Sequence, residues 1–202
     1  MKIAVVGHGN VGGTLASSWV ANHEVTIGVR DLESEKLTRL KKNPDLKFKS
    51  IPEAVSGAEV VLIATPAHLV TELIPGMGNL KGKVIIDATN AVGSHPEPYP
   101  TAFHAFKDLT SAEVVKCFNT TGFENMANPN YGAMMIDMFM AGSDKRAKKI
   151  AHSLVLDAGF AQCYDFGDDS KVELLEQFAL CWINLAIMQG MGRDMAFKVL
   201  KR

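Results

Sequence analysis

Long apolar runs are missing from this 202-residue chain: no segment approaches the ~20 residues a membrane helix needs. The opening Met1–Val6 is too short for a signal-peptide core. Both absences lead to the expectation of a soluble, cytoplasmic protein with no membrane partner. Charge of one sign is also lacking. With 21 basic against 22 acidic residues and a net charge of −1, no basic run suggests nucleic acid as a partner. Cysteine is scarce: Cys117, Cys163 and Cys181 form no CxxC pair, and buried free thiols are expected. There is no HExxH, GxSxG or Walker lysine loop, and the six histidines stand apart, so no metal site is expected. Asn119-Thr120-Thr121 matches a glycosylation sequon, which without a secretory signal carries no weight. With 47% hydrophobic and 21% charged residues, the chain can bury a full core.

Periodicity predicts a βαβ series. Lys2 to Val6 is a continuous apolar run, as in a buried parallel strand. Gly13 to Ala21 reads as a helix and His23 to Arg30 as the second strand. Ser34 to Lys42 reads as a charged helix stopped by Asn43-Pro44, and Lys47 to Ile51 as an edge strand. Glu59 to Ala64, Val84 to Ala88 and Val114 to Phe118 supply three more strands, with a helix near His68 to Ile74. The proline-bearing stretch Ala91 to Thr101 reads as an extended loop. Further on, Met134 to Met140 and Phe160 to Phe166 read as strands and Asp144 to Ala158 as a helix. Ser170 to Gln189 reads as a long helix apolar on most of its circumference, wanting burial on several sides. After Gly190 and Gly192 a last helix is expected to reach Arg202. The fold class is α/β, a Rossmann-type doubly wound parallel sheet with a small C-terminal α+β or helical extension. Its division is expected at residues 1–120, the dinucleotide-binding domain, and 121–202, a substrate-pocket and dimerisation segment.

Gly7-His8-Gly9-Asn10-Val11-Gly12 is a GxGxxG placed after a strand and before a helix. The glycines allow the tight turn, close approach to a pyrophosphate and helix–strand packing, and the helix N-terminus offers free N–H groups to phosphate. A nicotinamide dinucleotide is the cofactor this implies. The second strand ends on Gly28-Val29-Arg30-Asp31 rather than on an acidic residue alone. Arg30 is a planar fork suited to a 2′-phosphate, with Lys36 and His8 adding positive charge, which favours NADP(H). The competing reading leaves Arg30 and Lys36 solvated and has Asp31 hold the ribose. Later strand ends, Ala64-Thr65-Pro66-Ala67-His68, Asp87 to Asn90 and Phe118 to Gly122, should line the nicotinamide half. There Asn90 and Asn119 can orient a carboxamide. His68 is either a positioning residue or a helix-start residue facing solvent or ribose, and no catalytic residue is certain.

These residues resemble the NADP oxidoreductase family dependent on the deazaflavin coenzyme F420, and also the NADPH-binding cytoplasmic domain of six-transmembrane ferric reductases. The resemblance is carried by Gly7 to Gly13, Gly28-Val29-Arg30, Val84 to Asn90, Val115 to Thr120, and Asn184 to Leu200 with its core Met188 to Gly192. It implies that Arg30 holds the 2′-phosphate beside His8 and Lys36, although Val29 replaces the family's small hydroxyl residue. Asn119 stands where the deazaflavin enzymes carry a histidine and is closer to the ferric-reductase pattern. Their nicotinamide-loop histidine also lies one residue further from the proline than His68.

The expected activity is NADPH-dependent hydride transfer with a flavin, a deazaflavin such as coenzyme F420, or a similar small-molecule redox acceptor. Such transfer needs ring positioning more than acid–base chemistry. Eight methionines (126, 134, 135, 138, 140, 188, 191 and 195) could wall a planar-ring pocket or fill a core or homodimer interface. A non-catalytic NADPH-binding sensor or partner of a redox protein is the alternative. An imine or 2-hydroxy-acid reductase ranks last, because no lysine or histidine of the later half stands at an obvious strand end as proton donor.

Overall fold

The computed structural model describes residues 1–202. The run Lys2–Val6 (β1) is an inner strand, its Ile3 to Val6 almost completely buried. It is followed by α1 (Asn10–Trp19), β2 (Glu24–Val29), β3 (Lys47–Ser50), α2 (Ile51–Ser56), β4 (Val60–Ile63), α3 (Val70–Leu73), β5 (Val84–Asp87), α4 (Ala102–Leu109) and β6 (Glu113–Cys117). The later elements are α5 (Phe123–Ala127), β7 (Asn130–Tyr131), β8 (Met134–Met135), β9 (Asp137–Ala141), α6 (Lys145–Asp157), β10 (Gln162–Asp165) and α7 (Val172–Ile183). Eight strands form one sheet in the order β10-β9-β6-β5-β4-β1-β2-β3, parallel except where β9 meets β6; β7 and β8 make a separate hairpin.

Apolar side chains alternate to the two faces of this sheet, so helices must cover both. Leu15, Ala16 and Trp19 of α1 pack with Ala151, Leu154 and Val155 of α6 on one face. Phe103 and Phe106 of α4 pack with Val172 and Leu175 of α7 on the other. Trp19 Nε1 donates to the Leu154 carbonyl at 2.9 Å, tying the first helix to the sixth. No helix is long and apolar enough to cross a membrane.

Several sequence expectations need correction. Ser34 to Lys42 is not one helix but two 3-10 turns, Glu35–Leu37 and Leu40–Lys42. A local bond competes with the helix there: the Thr38 hydroxyl and N–H both donate to the Glu35 carbonyl, which an α-helix would give to the Arg39 N–H. Met134 to Met140 is broken into β8 and β9. The Ser170 to Gln189 helix keeps its length, its end widening into a π turn at Asn184–Met188. It is buried on one face only, since Leu174 is 55% and Met188 72% exposed. No helix follows Gly192. The terminal stretch is held in irregular form because its backbone bonds elsewhere: Trp182 Nε1 donates to the Met195 carbonyl, Asn125 Nδ2 to those of Arg193 and Met195, and the Val199 N–H to Asp137. Cys181 is exposed, while Cys117 and Cys163 are buried. Helices α2, α4 and α5 had no counterpart in the sequence reading.

Candidate dinucleotide site

The sheet order reverses between β1 and β4, and a ligand crevice is expected outside their carboxyl ends. The chain builds one there, a cleft of about 870 Å³. Its floor is the glycine turn. Gly7 has φ +108°, and a Cβ on it would stand 2.4 Å from the Ala64 carbonyl oxygen. A Cβ on Gly12 would stand 1.8 Å from the Gly7 carbonyl oxygen. Both positions therefore exclude a side chain, Gly7 by conformation as well as by space. Around Gly9 nothing lies within 4 Å, so its missing side chain leaves room in the cleft rather than relieving a contact. Gly9 is the N-cap of α1, and no side chain caps that helix. Its first N–H groups stay free for an anion.

The cleft brings together Gly7, His8, Gly9, Arg30, Asp31 and Lys36 with Ala64, Thr65 and Pro66. Arg30 and Lys36 take part in no ion pair, so their charge is available. Asn10, Val11 and Gly12 form the first turn of α1 behind the loop. His68, Asn90 and Asn119 do not line this cleft. His68 is exposed, and its Nδ1 lies 3.1 Å from Ser94 Oγ. Asn90 and Asn119 pair with one another: Asn90 Nδ2 donates to the Asn119 carbonyl at 2.8 Å, and Asn119 Nδ2 to Asn90 Oδ1 at 3.0 Å. Sequence reasoning missed Ser34, which lines the same cleft as Arg30 and Lys36, and Ser50 at the end of β3. Ser50 is already engaged with Glu53 in a capping box, whereas Ser34 makes no cap bond.

Four buried side-chain polar atoms have no hydrogen-bond partner: Thr65 Oγ1, Thr89 Oγ1, Asn119 Oδ1 and Glu124 Oε2. Buried polar atoms are ordinarily satisfied. Three of these stand two residues past the ends of neighbouring parallel strands, β4, β5 and β6. An unpaired row along the carboxyl edge fits a polar ligand running from the glycine turn towards β6. These features together fit a dinucleotide: a cradle no Cβ could enter, free helix N–H groups, free cations for phosphate and unpaired acceptors beyond.

Beneath that edge lies a buried ion triad. Lys116, with no exposed surface, donates to Asp87 Oδ2 at 2.9 Å, Glu176 Oε1 at 2.6 Å and the Thr89 carbonyl at 2.6 Å. Burial works to lower its pKa, but Asp87 and Glu176 outweigh it and hold the ammonium above the ordinary lysine value. The sequence carried a signal: a lysine inside the buried run Val114 to Cys117 has to meet a carboxylate. Near the chain end, burial works to raise the Glu124 carboxyl, and the Arg193 guanidinium outweighs it, leaving it below the usual carboxylate value. The methionines divide. Met126, Met138 and Met140 are core residues, while Met134, Met135, Met188 and Met191 are exposed.

Residues 2–91 match the family described as NADP oxidoreductase coenzyme F420-dependent, so the resemblance to that family drawn from the sequence is borne out over that stretch. No curated protein matches the chain. Among solved structures, a candidate F420-dependent NADP reductase from Arthrobacter sp. FB24 superposes with a TM-score of 0.87 at 28% identity, over the whole of both chains. A hypothetical protein from Sinorhizobium meliloti gives 0.72 at 21% identity, covering all of this chain and 96% of its own. A reductive aminase from Aspergillus terreus, solved with NADPH and ethyl-5-oxohexanoate, gives 0.68 at 17% identity over 94% of this chain and 62% of that one. At such identities the last two speak to the fold alone.

Proposed function

We propose, from the match of residues 2–91 to the coenzyme F420-dependent NADP oxidoreductases, that this chain is an NADPH-dependent oxidoreductase passing hydride between NADP(H) and a flavin-like acceptor. The observation that carries the reading is the cleft at the β1/β4 switch point, where the glycine turn faces the unpaired Arg30 and Lys36. The first turn of α1 binds the pyrophosphate through Asn10 to Gly12 N–H groups. Arg30 and Lys36, with the Ser34 hydroxyl standing in for the one Val29 lacks, hold the 2′-phosphate. Thr65, Thr89 and Asn119 orient the nicotinamide half, Asn90 fixing the Asn119 amide. When bound, the dihydronicotinamide supplies the hydride. The residues beyond β5 and β6 position it and need donate no proton. The exposed Met134, Met135, Met188 and Met191 suit a soft wall for a planar acceptor or the surface of a homodimer.

Mixing the protein with NADPH and, in turn, a deazaflavin, flavin mononucleotide and a ferric chelate should give NADPH oxidation with a ring acceptor. Tight NADPH binding with no oxidation by any of them would point instead to a sensor. Arg30→Ala should weaken NADPH binding by about 10- to 100-fold, the loss of one charge-assisted contact, while NADH binding stays within about twofold. An equal loss for both cofactors in parallel titrations would remove Arg30 from the 2′-phosphate site.

A further inference from the structure

Four consecutive residues after β5, Ala88 to Ala91, form the loop that carries Asn90. Three of their backbone groups are gripped by buried charges. The Thr89 N–H donates to Asp87 Oδ1 at 2.9 Å. The Thr89 carbonyl accepts from Lys116 Nζ at 2.6 Å. The Ala91 N–H donates to Glu176 Oε2 at 2.8 Å, while the other oxygen of that carboxylate holds Lys116. One ammonium and two carboxylates therefore join β5, β6 and α7 and leave this loop little freedom. A bare ion triad would be a weak source of stability, since apolar residues of similar volume often do as well. Spending two carboxylates and a lysine on loop backbone suggests a task of placement.

The loop's outer side shows what is being placed. Asn90 Nδ2 donates to the Asn119 backbone carbonyl and Asn90 Oδ1 accepts from Asn119 Nδ2, which leaves Asn119 Oδ1 buried and unsatisfied. Phe118, just before it, sits at φ +65°, a costly conformation for a non-glycine residue. Thr89 Oγ1, in the gripped loop, is unsatisfied as well. Two acceptors are thus held at fixed places in the edge beyond β5 and β6, with their pairing needs unmet.

We propose that Lys116 and Glu176 are positioning residues for the nicotinamide half of the site, holding loop 88–91 so that Thr89 Oγ1 and Asn119 Oδ1 meet a carboxamide in one orientation. Through Glu176 the C-terminal helix α7 becomes part of the cofactor site without touching the cofactor. The proposal rests on the NADPH reading above, and the test separates the two.

The probes are NADPH and adenosine 2′,5′-bisphosphate, which carries the phosphates of the adenosine half and no nicotinamide. Calorimetric titration of the wild-type chain should show NADPH binding about tenfold or more tightly than the bisphosphate. In Glu176→Gln, a single amide oxygen replaces two carboxylate oxygens; drawn to the Lys116 ammonium, it leaves the NH2 group opposing the Ala91 N–H, and the grip on the loop is lost. The NADPH advantage should then fall to about twofold or less, with bisphosphate affinity within about twofold of wild type. A general loss of structure would weaken both probes together. Wild type binding neither probe would overturn the NADPH reading itself. Binding of both with no NADPH advantage in wild type, or an advantage unchanged in the variant, would overturn the positioning role and leave that reading standing. Should Glu176→Gln not fold, amide exchange in the wild-type chain decides. The Ala91 N–H should be protected without ligand to the degree of the β5 amides, and fast exchange there would contradict the proposal.

Discussion

Lys116→Met should lower the unfolding free energy by about 3–5 kcal/mol, the usual cost of removing one partner from a buried ion pair. For a chain of this size that is roughly 10 °C in Tm. Methionine fills much of the same volume, so the loss comes chiefly from stranding the carboxylates of Asp87 and Glu176, one fully and the other almost fully buried. Replacing all three with apolar residues should recover much of it, because no charge is then left unpaired. The dependence on pH follows from the raised Lys116 pKa. A folded-state pKa above the unfolded value gives stability that is complete below the unfolded lysine pKa and lost as pH climbs through the folded one. The difference in Tm between wild type and Lys116→Met should therefore hold steady from about pH 7 to 10 and shrink only above the ordinary lysine range. A difference that shrinks between pH 7 and 9 would mean the lysine is not held charged.

Gly12→Ala should abolish measurable cofactor binding. The added methyl group would sit 1.8 Å from the Gly7 carbonyl oxygen, and that oxygen belongs to a backbone already pressed against Ala64. Neither strand end can withdraw, so the turn must open and its N–H groups leave their common focus. Hydrogen bonds to a charged group are worth about 1.5–3 kcal/mol each, and losing two weakens binding by about 100-fold or more. Gly9→Ala separates space from fold. Its side chain would enter open cleft at an ordinary φ of −71°, so Tm should stay within about 2 °C, the scale of a small surface substitution, while NADPH binding still weakens. If Gly9→Ala binds as wild type does, the phosphates pass elsewhere.

Much of this was legible because the strongest patterns are local. The apolar run before Gly7 and the spacing of three glycines specify strand, turn and helix together, and β1, α1 and β2 lie within a few residues of where periodicity puts them. The same holds for α6 and β10. What failed depended on distant partners. Nothing in residues 193–199 says that their backbone groups bond to Asn125, Asp137 and Trp182 instead of to one another, so a helix was the natural expectation. Ser34 to Lys42 has helical composition, yet the Thr38 hydroxyl and N–H take the Glu35 carbonyl that a helix would give to Arg39. In the site, the phosphate half follows from sequence because one motif and one strand end supply it. The nicotinamide half draws on β5, β6 and α7, and Glu176 lies 89 residues beyond Asp87 along the chain. Asn90 and Asn119 were singled out as amides, but their mutual pairing and the triad beneath them are products of the sheet order.

The most direct test of the account is calorimetric titration of the purified wild-type chain with NADPH and with NADH under the same salt. One site per chain, taking NADPH about tenfold or more tightly than NADH, is the result the free guanidinium beside the glycine turn predicts. No binding of either cofactor, or tighter binding of NADH, would contradict it.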